Sequence, residues 1–323
     1  MTELRLHEAL SLSLDQARDM AAPYGIEVIS MTPLKGGLMN TNIRIDSDAA
    51  PYLLRVYNEE RSPAEIEFEL SALHRLAECG VPAQHPLRGG HGYGGEWNGR
   101  LYGLFTFLDG EALEEDALSA PVNVAIGEAV GQMQNAFEGF VPEGSKPRAD
   151  VEFIDGLVSE SYNALCEAGA DELVEEIRRG WAEARAPFAD DSLPLCVLHA
   201  DLFPGNVIIK DGTFAGFIDF DDAYFGTSLF DVAIAAMQLS FTGETDLCLD
   251  LVQAFLDGYH KHRPQVDERL LVDAMRLNCF RFFTLTLPLT VGEGRMPTDN
   301  VYLKRIRFFA ERTARDTIID SLR

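Results

Sequence analysis

Asp201, Asn206 and Asp219 are the residues whose types and spacing suit a reaction. The first two lie in Val197-Leu198-His199-Ala200-Asp201-Leu202-Phe203-Pro204-Gly205-Asn206, the third in Ile218-Asp219-Phe220. Between them run Val207-Ile208-Ile209-Lys210, then Asp211-Gly212, then Thr213-Phe214-Ala215-Gly216-Phe217. Two apolar runs joined by Asp-Gly are a strong short-range hairpin signal. With Asp211 and Gly212 as the turn, Lys210 faces Thr213, Asn206 falls opposite Phe217, and Asp219 sits roughly 7 Å further along. A carboxamide and a carboxylate then share one end of the hairpin, beside the loop that carries Asp201. Converging oxygen ligands of this kind suit Mg2+ and a bound phosphate. In phosphoryl transfer, one Asp orients and deprotonates the attacking hydroxyl, an Asn five residues on takes a divalent ion, and a later Asp takes it as well. His199, Asp201 and Asn206 have that H-x-D-x-x-x-x-N spacing. A polar turn beside a strand accounts for any one of these residues, but not for all three in register around a hairpin.

The segment from Leu198 to Asp231 resembles the catalytic core of the aminoglycoside phosphotransferase and choline kinase-like family, a small-molecule branch of the protein-kinase fold. Within that family, His199-Ala200-Asp201-Leu202-Phe203-Pro204 and Asn40-Thr41-Asn42 are similar to type II homoserine kinases. Those kinases read I-D-F-Y-F-A after the metal-binding Asp, whereas this chain reads Ile218-Asp219-Phe220-Asp221-Asp222-Ala223. The resemblance implies a two-lobed α+β architecture: a small antiparallel-sheet N-lobe over residues 1–109 and a mostly helical C-lobe over residues 110–323. It also implies ATP and Mg2+ as cofactors and a small-molecule hydroxyl as acceptor, with homoserine leading. Choline, aminoglycosides and other amino alcohols stay open.

Composition narrows the field. A chain of 323 residues is long enough for about two domains with cores of their own. It is 46% hydrophobic, yet no stretch approaches the length of about 18 apolar residues that a membrane span needs. Met1 to Leu14 carries acids and lacks the apolar run of a signal peptide. The cysteines (Cys79, Cys166, Cys196, Cys248, Cys279) are odd in number and form no metal-site spacing. They read as reduced, mostly buried thiols of a cytoplasmic protein. A net charge of −25 argues against nucleic acid and anionic membranes as partners. Such a charge permits a cationic substrate without demanding one.

The remaining elements must position those groups. Ser13 to Tyr24 reads as a helix capped by Ser13 and closed by Gly25, followed by a strand over Ile26–Met31. Gly36 and Gly37 precede a second pair of strands, Ile43-Arg44-Ile45 and Tyr52–Tyr57. A glycine pair there lets backbone N–H groups approach a polyanion. In the family plan Arg55 takes the place of the phosphate-binding Lys, and Asn40 belongs to the nucleotide-covering loop. Arg keeps the charge but is longer and planar, so the exchange is not neutral; Lys35 is the reserve cation. Ser62-Pro63 opens a helix to about Cys79. Its Glu69 falls where the family places the acidic partner of the strand cation, with Glu67 as runner-up.

Gly89–Gly99 reads as a mobile loop, and Leu101–Leu108, including Phe107, as the hinge strand that meets adenine. Helices follow over 122–137, 152–168, 171–187, 245–262, 266–287 and 298–322. Lys304, Arg305 and Arg307 read as one solvated face. The family assigns Asp231 to bracing the catalytic loop, with His199 shaping it. Asp221 and Asp222 either face the acceptor or cap the next helix. Two rival readings are a Ser/Thr protein kinase on the same scaffold, against which stands the lack of an A-P-E signature, and an inactive nucleotide-binding module.

Overall fold

Capping chemistry sets the start of both N-terminal helices. In α1 (Leu14–Ala21) the Ser13 hydroxyl accepts from Gln16 N while the Gln16 carboxamide accepts from Ser13 N. In α2 (Pro63–Glu78) Ser62 and Glu65 make the same reciprocal pair, with Pro63 at the first helical position. The computed structural model describes residues 10–34, 40–144, 146, 151–189 and 193–322.

Between and after these helices lies an antiparallel sheet of β1 (Ser30–Pro33), β2 (Thr41–Asp46), β3 (Pro51–Val56), β4 (Gly94–Trp97) and β5 (Arg100–Thr106), in the order β1-β2-β3-β5-β4. Side chains alternate across it. Ile43, Ile45, Leu54, Val56, Tyr102 and Leu104 pack with Ala17, Met20 and Ala21 of α1 in one core. Leu53, Tyr57 and Phe105 join α2 and the helical part in the other. The two-residue period of a strand therefore puts Arg55 on the same face as Leu53 and Tyr57, toward α2.

Two sequence expectations change here. The first strand begins at Ser30 instead of Ile26, because the Val28 carbonyl is taken by Arg18 Nε at 3.1 Å and Val28 packs under α1. The glycine-rich stretch 89–99 is in part β4, turned into β5 by Asn98 and Gly99 at φ 50° and 77°. That Asn-Gly pair is a hairpin signal in its own right.

The helical part holds α3 (Ala120–Ala136), α4 (Val151–Glu167), α5 (Asp171–Arg185), α6 (Ser228–Gln238), α7 (Leu249–Tyr259), α8 (Glu268–Gly292), α9 (Val301–Ala310) and α10 (Arg312–Leu322). The expected single helix over 298–322 divides at Glu311, whose ψ of 119° is extended. Helix α8 runs through the middle of the core, with Leu277, Phe280, Phe283 and Leu287 fully enclosed. Of the basic residues of α9, Arg307 is exposed as expected, but Arg305 is packed away. The Arg305 guanidinium lies 4.0 Å from the Phe241 ring centre and bonds Gln238 and Glu244, Lys304 pairs with Glu244, and Arg307 with Glu176. Of the cysteines, Cys196 and Cys279 are buried, whereas Cys79 and Cys166 are exposed. Among the described residues no helix is long and apolar enough to cross a membrane.

Short strands carry the segment singled out by its chemistry. They are β6 (Glu111–Ala112), β7 (Leu195–Leu198), β8 (Val207–Lys210), β9 (Thr213–Phe217) and β10 (Tyr224–Thr227). β10 returns to pair with β7, and β6 with β8. The chain thus leaves β7 through His199–Asp201, makes one helical turn at Pro204–Asn206, crosses the β8–β9 hairpin and comes back beside its starting point.

Candidate active site

The loop after β7 is held from three sides. Both oxygens of Asp231, in the first turn of α6, accept backbone hydrogen bonds, from His199 N at 2.7 Å and Ala200 N at 2.8 Å. With its ring enclosed, His199 donates from Nε2 to the Ile218 carbonyl at 2.9 Å and lies tilted against Phe220, ring centres 4.3 Å apart. Burial lowers the His199 pKa to about 4, so the ring is neutral, and with Nε2 as donor its Nδ1 accepts from Asp201 N at 3.3 Å. A buried neutral ring cannot reach a substrate; His199 positions the loop. From α8, Arg281 donates Nη1 to the Ala200 carbonyl at 2.6 Å. These bonds hold Ala200 at φ 68°, a left-handed conformation that costs a residue with a Cβ about 1 kcal/mol.

Asp201 and Asn206 come together: Asn206 Nδ2 donates to the Asp201 carbonyl at 2.9 Å and to its Oδ2 at 3.1 Å. The hairpin turn forms at Asp211 and Gly212, with φ 51° and 75°, and Lys210 pairs with Thr213. Further along the register departs from the expectation. Ala215 is an extra residue, so Ile208 pairs with Gly216 and Val207 with Phe217. Gly216, at φ 154°, has no room for a Cβ, which would lie 2.8 Å from Leu108. Asn206 therefore faces Ile218, whose N bonds the Asn206 carbonyl at 3.0 Å, and Asp219 follows directly. Burial, then Asp222, raises the Asp201 pKa to about 7; burial, then Asp221, raises Asp219 to about 6.

Across the cleft the cation is Arg55, 4% exposed on β3. Nη1 contacts Glu69 Oε1 at 3.1 Å and Asp221 Oδ1 at 2.6 Å, Nη2 lies 3.5 Å from Asp219 Oδ1, and Nε bonds Asn42 at 3.0 Å. Burial alone would lower its pKa, but Asp221, Asp219 and Glu69 raise it and keep it charged. Glu69 is enclosed, and its Oε2 pairs with Arg61 at 3.0 Å. Burial and Asp221 push Glu69 up to about 7 against the pull of Arg55. Glu67 is exposed on the other flank of α2.

Asn40 is buried and spends its side chain on Asp221 and on Asn58 N. Phe107 is half-buried just past β5, with the Arg44 guanidinium 4.9 Å from its ring centre. Gly36, Gly37 and Lys35 lie outside the described residues. Arg61, Arg281 and Lys146, which donates to the Asp221 carbonyl, were not legible as site residues. Their contacts with Asp221 and Asp222 span from 59 to 160 residues, and although Arg61 also pairs with Glu69 eight residues on, no local pattern marks them.

Asp221 and Asp222 cap nothing. Thr227 precedes α6 with no side-chain cap, Asp221 joins the Arg55 cluster, and Asp222 Oδ2 lies 3.3 Å from Arg281 Nη2.

Donor chemistry at the hairpin end suits Mg2+. Asp219 opens partly to the cleft, yet its Oδ1 is buried without a hydrogen bond. Asn206 uses its nitrogen on Asp201, which leaves its oxygen for a cation. Among the described residues no three His, Cys, Asp or Glu side chains form a metal cluster. A hard ion here would accordingly rest on two side chains, with phosphate and water completing its shell.

Residues 30–268 match the model of the phosphotransferase enzyme family. A homoserine kinase of Methylobacillus flagellatus is 31% identical over 309 residues, covering 92% of this chain and 92% of its own. Among solved structures, an amicoumacin kinase bound to AMP-PNP, Ca2+ and amicoumacin superposes with TM-score 0.71 at 15% identity, covering 94% of this chain and 92% of its own. A spectinomycin phosphotransferase does so with TM-score 0.65 at 13% identity, covering 96% and 94%.

Proposed function

The chain belongs to the phosphotransferase enzyme family, and we propose that it moves the γ-phosphoryl group of ATP, with Mg2+, to the side-chain hydroxyl of L-homoserine. The observation that carries the reading is the convergence of these side chains. The Asp201–Asn206 pair, Asp219 and the buried cation Arg55 face one another across the hairpin end and the sheet. Full-length relatives named homoserine kinase support the acceptor.

In this reading residues 1–109 and 110–323 form the two lobes, and the reaction occurs between them. Asp201, its pKa raised to about 7, is the base that takes the acceptor's hydroxyl proton on a carboxylate oxygen. Asn206 Nδ2 keeps that carboxylate in one orientation, and Asp231 and His199 keep the loop in place. Arg55, anchored by Glu69 on α2, presents fixed positive charge to the phosphates, and Arg61 shares the anchor. Gly36, Gly37 and Asn40 belong to the phosphate-covering loop, and Phe107 lines the adenine side. Asn206 and Asp219 would hold Mg2+, which would supply charge neutralisation to the phosphates. Little covalent chemistry falls to the protein in such a transfer, so positioning is its main contribution. A cationic acceptor draws less support, since each added acid, Asp221 and Asp222, is matched by an arginine. Unpaired cysteines and an acidic chain suit the cytoplasm and a small-molecule partner in place of nucleic acid.

The test is kcat/KM for L-homoserine against choline, ethanolamine and an aminoglycoside under one assay. L-Homoserine is expected to lead. A hundredfold preference for a cationic alcohol lacking a carboxylate, about 2.7 kcal/mol of transition-state discrimination, would overturn the acceptor. Titration calorimetry with ATP, with and without Mg2+, tests the nucleotide half, and no heat in either arm would overturn the kinase reading.

A further inference from the structure

We propose that Arg281 is the group that selects a carboxylate-bearing acceptor, and that the Asp222 carboxylate holds its place until the acceptor arrives. The proposal rests on the homoserine reading and names a residue that determines its specificity. Arg281 sits midway along α8 and is 4% exposed. Nη1 bonds the carbonyl of Ala200, the residue immediately before Asp201, at 2.6 Å. The guanidinium is thereby fixed one residue from the base. Its other arm meets Asp222 Oδ2 at 3.3 Å. Charge-assisted N–H···O contacts run about 2.7–2.9 Å, so this one is loose, and Asp222 is 52% exposed at the cleft.

Among the described residues Asp222 is the one carboxylate within ion-pair distance of Arg281, and it is loosely held and half in water, while Asp201 and Asp231 act on the guanidinium only from further off. The planar fork of a guanidinium takes a carboxylate through two parallel bonds, which suits recognition of that group. In L-homoserine the carboxylate carbon and the hydroxyl oxygen are separated by three carbons, counting Cα. One end can therefore lie on Nη2 while the other meets Asp201. Asp222 is tethered to the turn between Asp219 and β10, and among the described residues its one ion pair is the loose contact with Arg281, with Lys146 attracting it only from further off, so it can rotate outward. Asp222 is then a placeholder for an anionic group.

The test compares kcat/KM for L-homoserine and L-homoserine amide, which keeps the hydroxyl and amine and loses only the charge of the carboxylate. Wild type is expected to prefer the acid by about 10- to 100-fold, the range for a hydrogen-bonded charge left unmatched. In Arg281→Lys and Arg281→Ala that preference should shrink toward unity, through a raised KM for the acid. Arg281 also braces Ala200, so a purely positioning role would lower kcat for both acceptors equally, and that result would overturn the proposal. Asp222→Asn, a change at a half-exposed side chain, should lower KM for the acid several-fold and leave KM for the amide in place. An unchanged acid KM in Asp222→Asn would overturn the placeholder role. If wild type turns over neither compound the homoserine reading itself falls, an outcome distinct from wild-type turnover with equal losses in the Arg281 variants.

Discussion

Arg55 and Arg281 are equally buried, one on β3 beside Asp219 and the other on α8 behind Asp201, and they are held in opposite ways. Arg55 touches three carboxylates, Glu69, Asp221 and Asp219, of which only Glu69 is wholly enclosed. Arg281 touches one, and that one is loose. A cation crowded by acids is a fixed piece of scaffold whose charge survives burial. By contrast, a cation bonded firmly to a main-chain carbonyl and weakly to a half-exposed acid has coordination to spare. On the proposed reading the first serves stability and phosphate positioning and the second acceptor choice.

The largest effect expected lies on neither arginine but on the base between them. Asp201→Asn should lower kcat by about 10²–10⁴-fold while leaving the ATP affinity measured by calorimetry nearly intact. Parallel loss of ATP binding would place Asp201 on the nucleotide side with Arg55.

Next comes the crowded cation itself. Arg55→Ala leaves Glu69 enclosed with, among the described residues, only Arg61 as ion partner. Removing one member of a buried ion cluster typically costs about 3–5 kcal/mol, readable as a shift in the urea midpoint. Arg55→Lys should recover part of both stability and ATP affinity. A wild-type midpoint and ATP affinity for Arg55→Ala would erase the distinction between the arginines.

A smaller effect sharpens the acceptor side. In the metal-free protein the Asp201 carboxyl should titrate near 7 by carbon NMR. Asp222→Asn should lower that midpoint, since the Asp222 charge contributes to raising it. Because the folded state binds this proton more tightly than the unfolded chain does, Asp201 makes stability fall as pH rises from the ordinary carboxylate range to about 7. A midpoint unmoved by Asp222→Asn would mean that Asp222 faces away from the base.

Much of this arrangement was legible wherever the physics is local. Asp211-Gly212 specified its turn and Ser62-Pro63 the start of its helix. Glu69 was legible only through the family plan, because nothing in a helical stripe distinguishes an acid that turns inward. The Asn98-Gly99 turn was equally local, and the density of glycine around it hid the strand. Arg61, Arg281 and the arginine partners of Asp221 and Asp222 were beyond reach, because each contact closes a long loop between elements whose packing the chain does not encode locally. Arg305 was misread because a cation lying over an aromatic ring from a distant segment has no periodic signature.

The extra residue at Ala215 bears on how this chain tolerates changes in length. A surface loop can gain or lose a residue at little cost. In the β8–β9 hairpin one deletion would restore the regular register, slide Ile218 off Asn206 by one strand step of about 3.3 Å, and turn the Asp219 side chain toward the opposite face. Insertions and deletions between Asn206 and Asp219 should therefore be lethal singly, whereas a matched pair of changes, one on each strand, preserves the spacing. A deletion scan of the hairpin would show this as isolated loss at every single step and recovery only in compensating doubles.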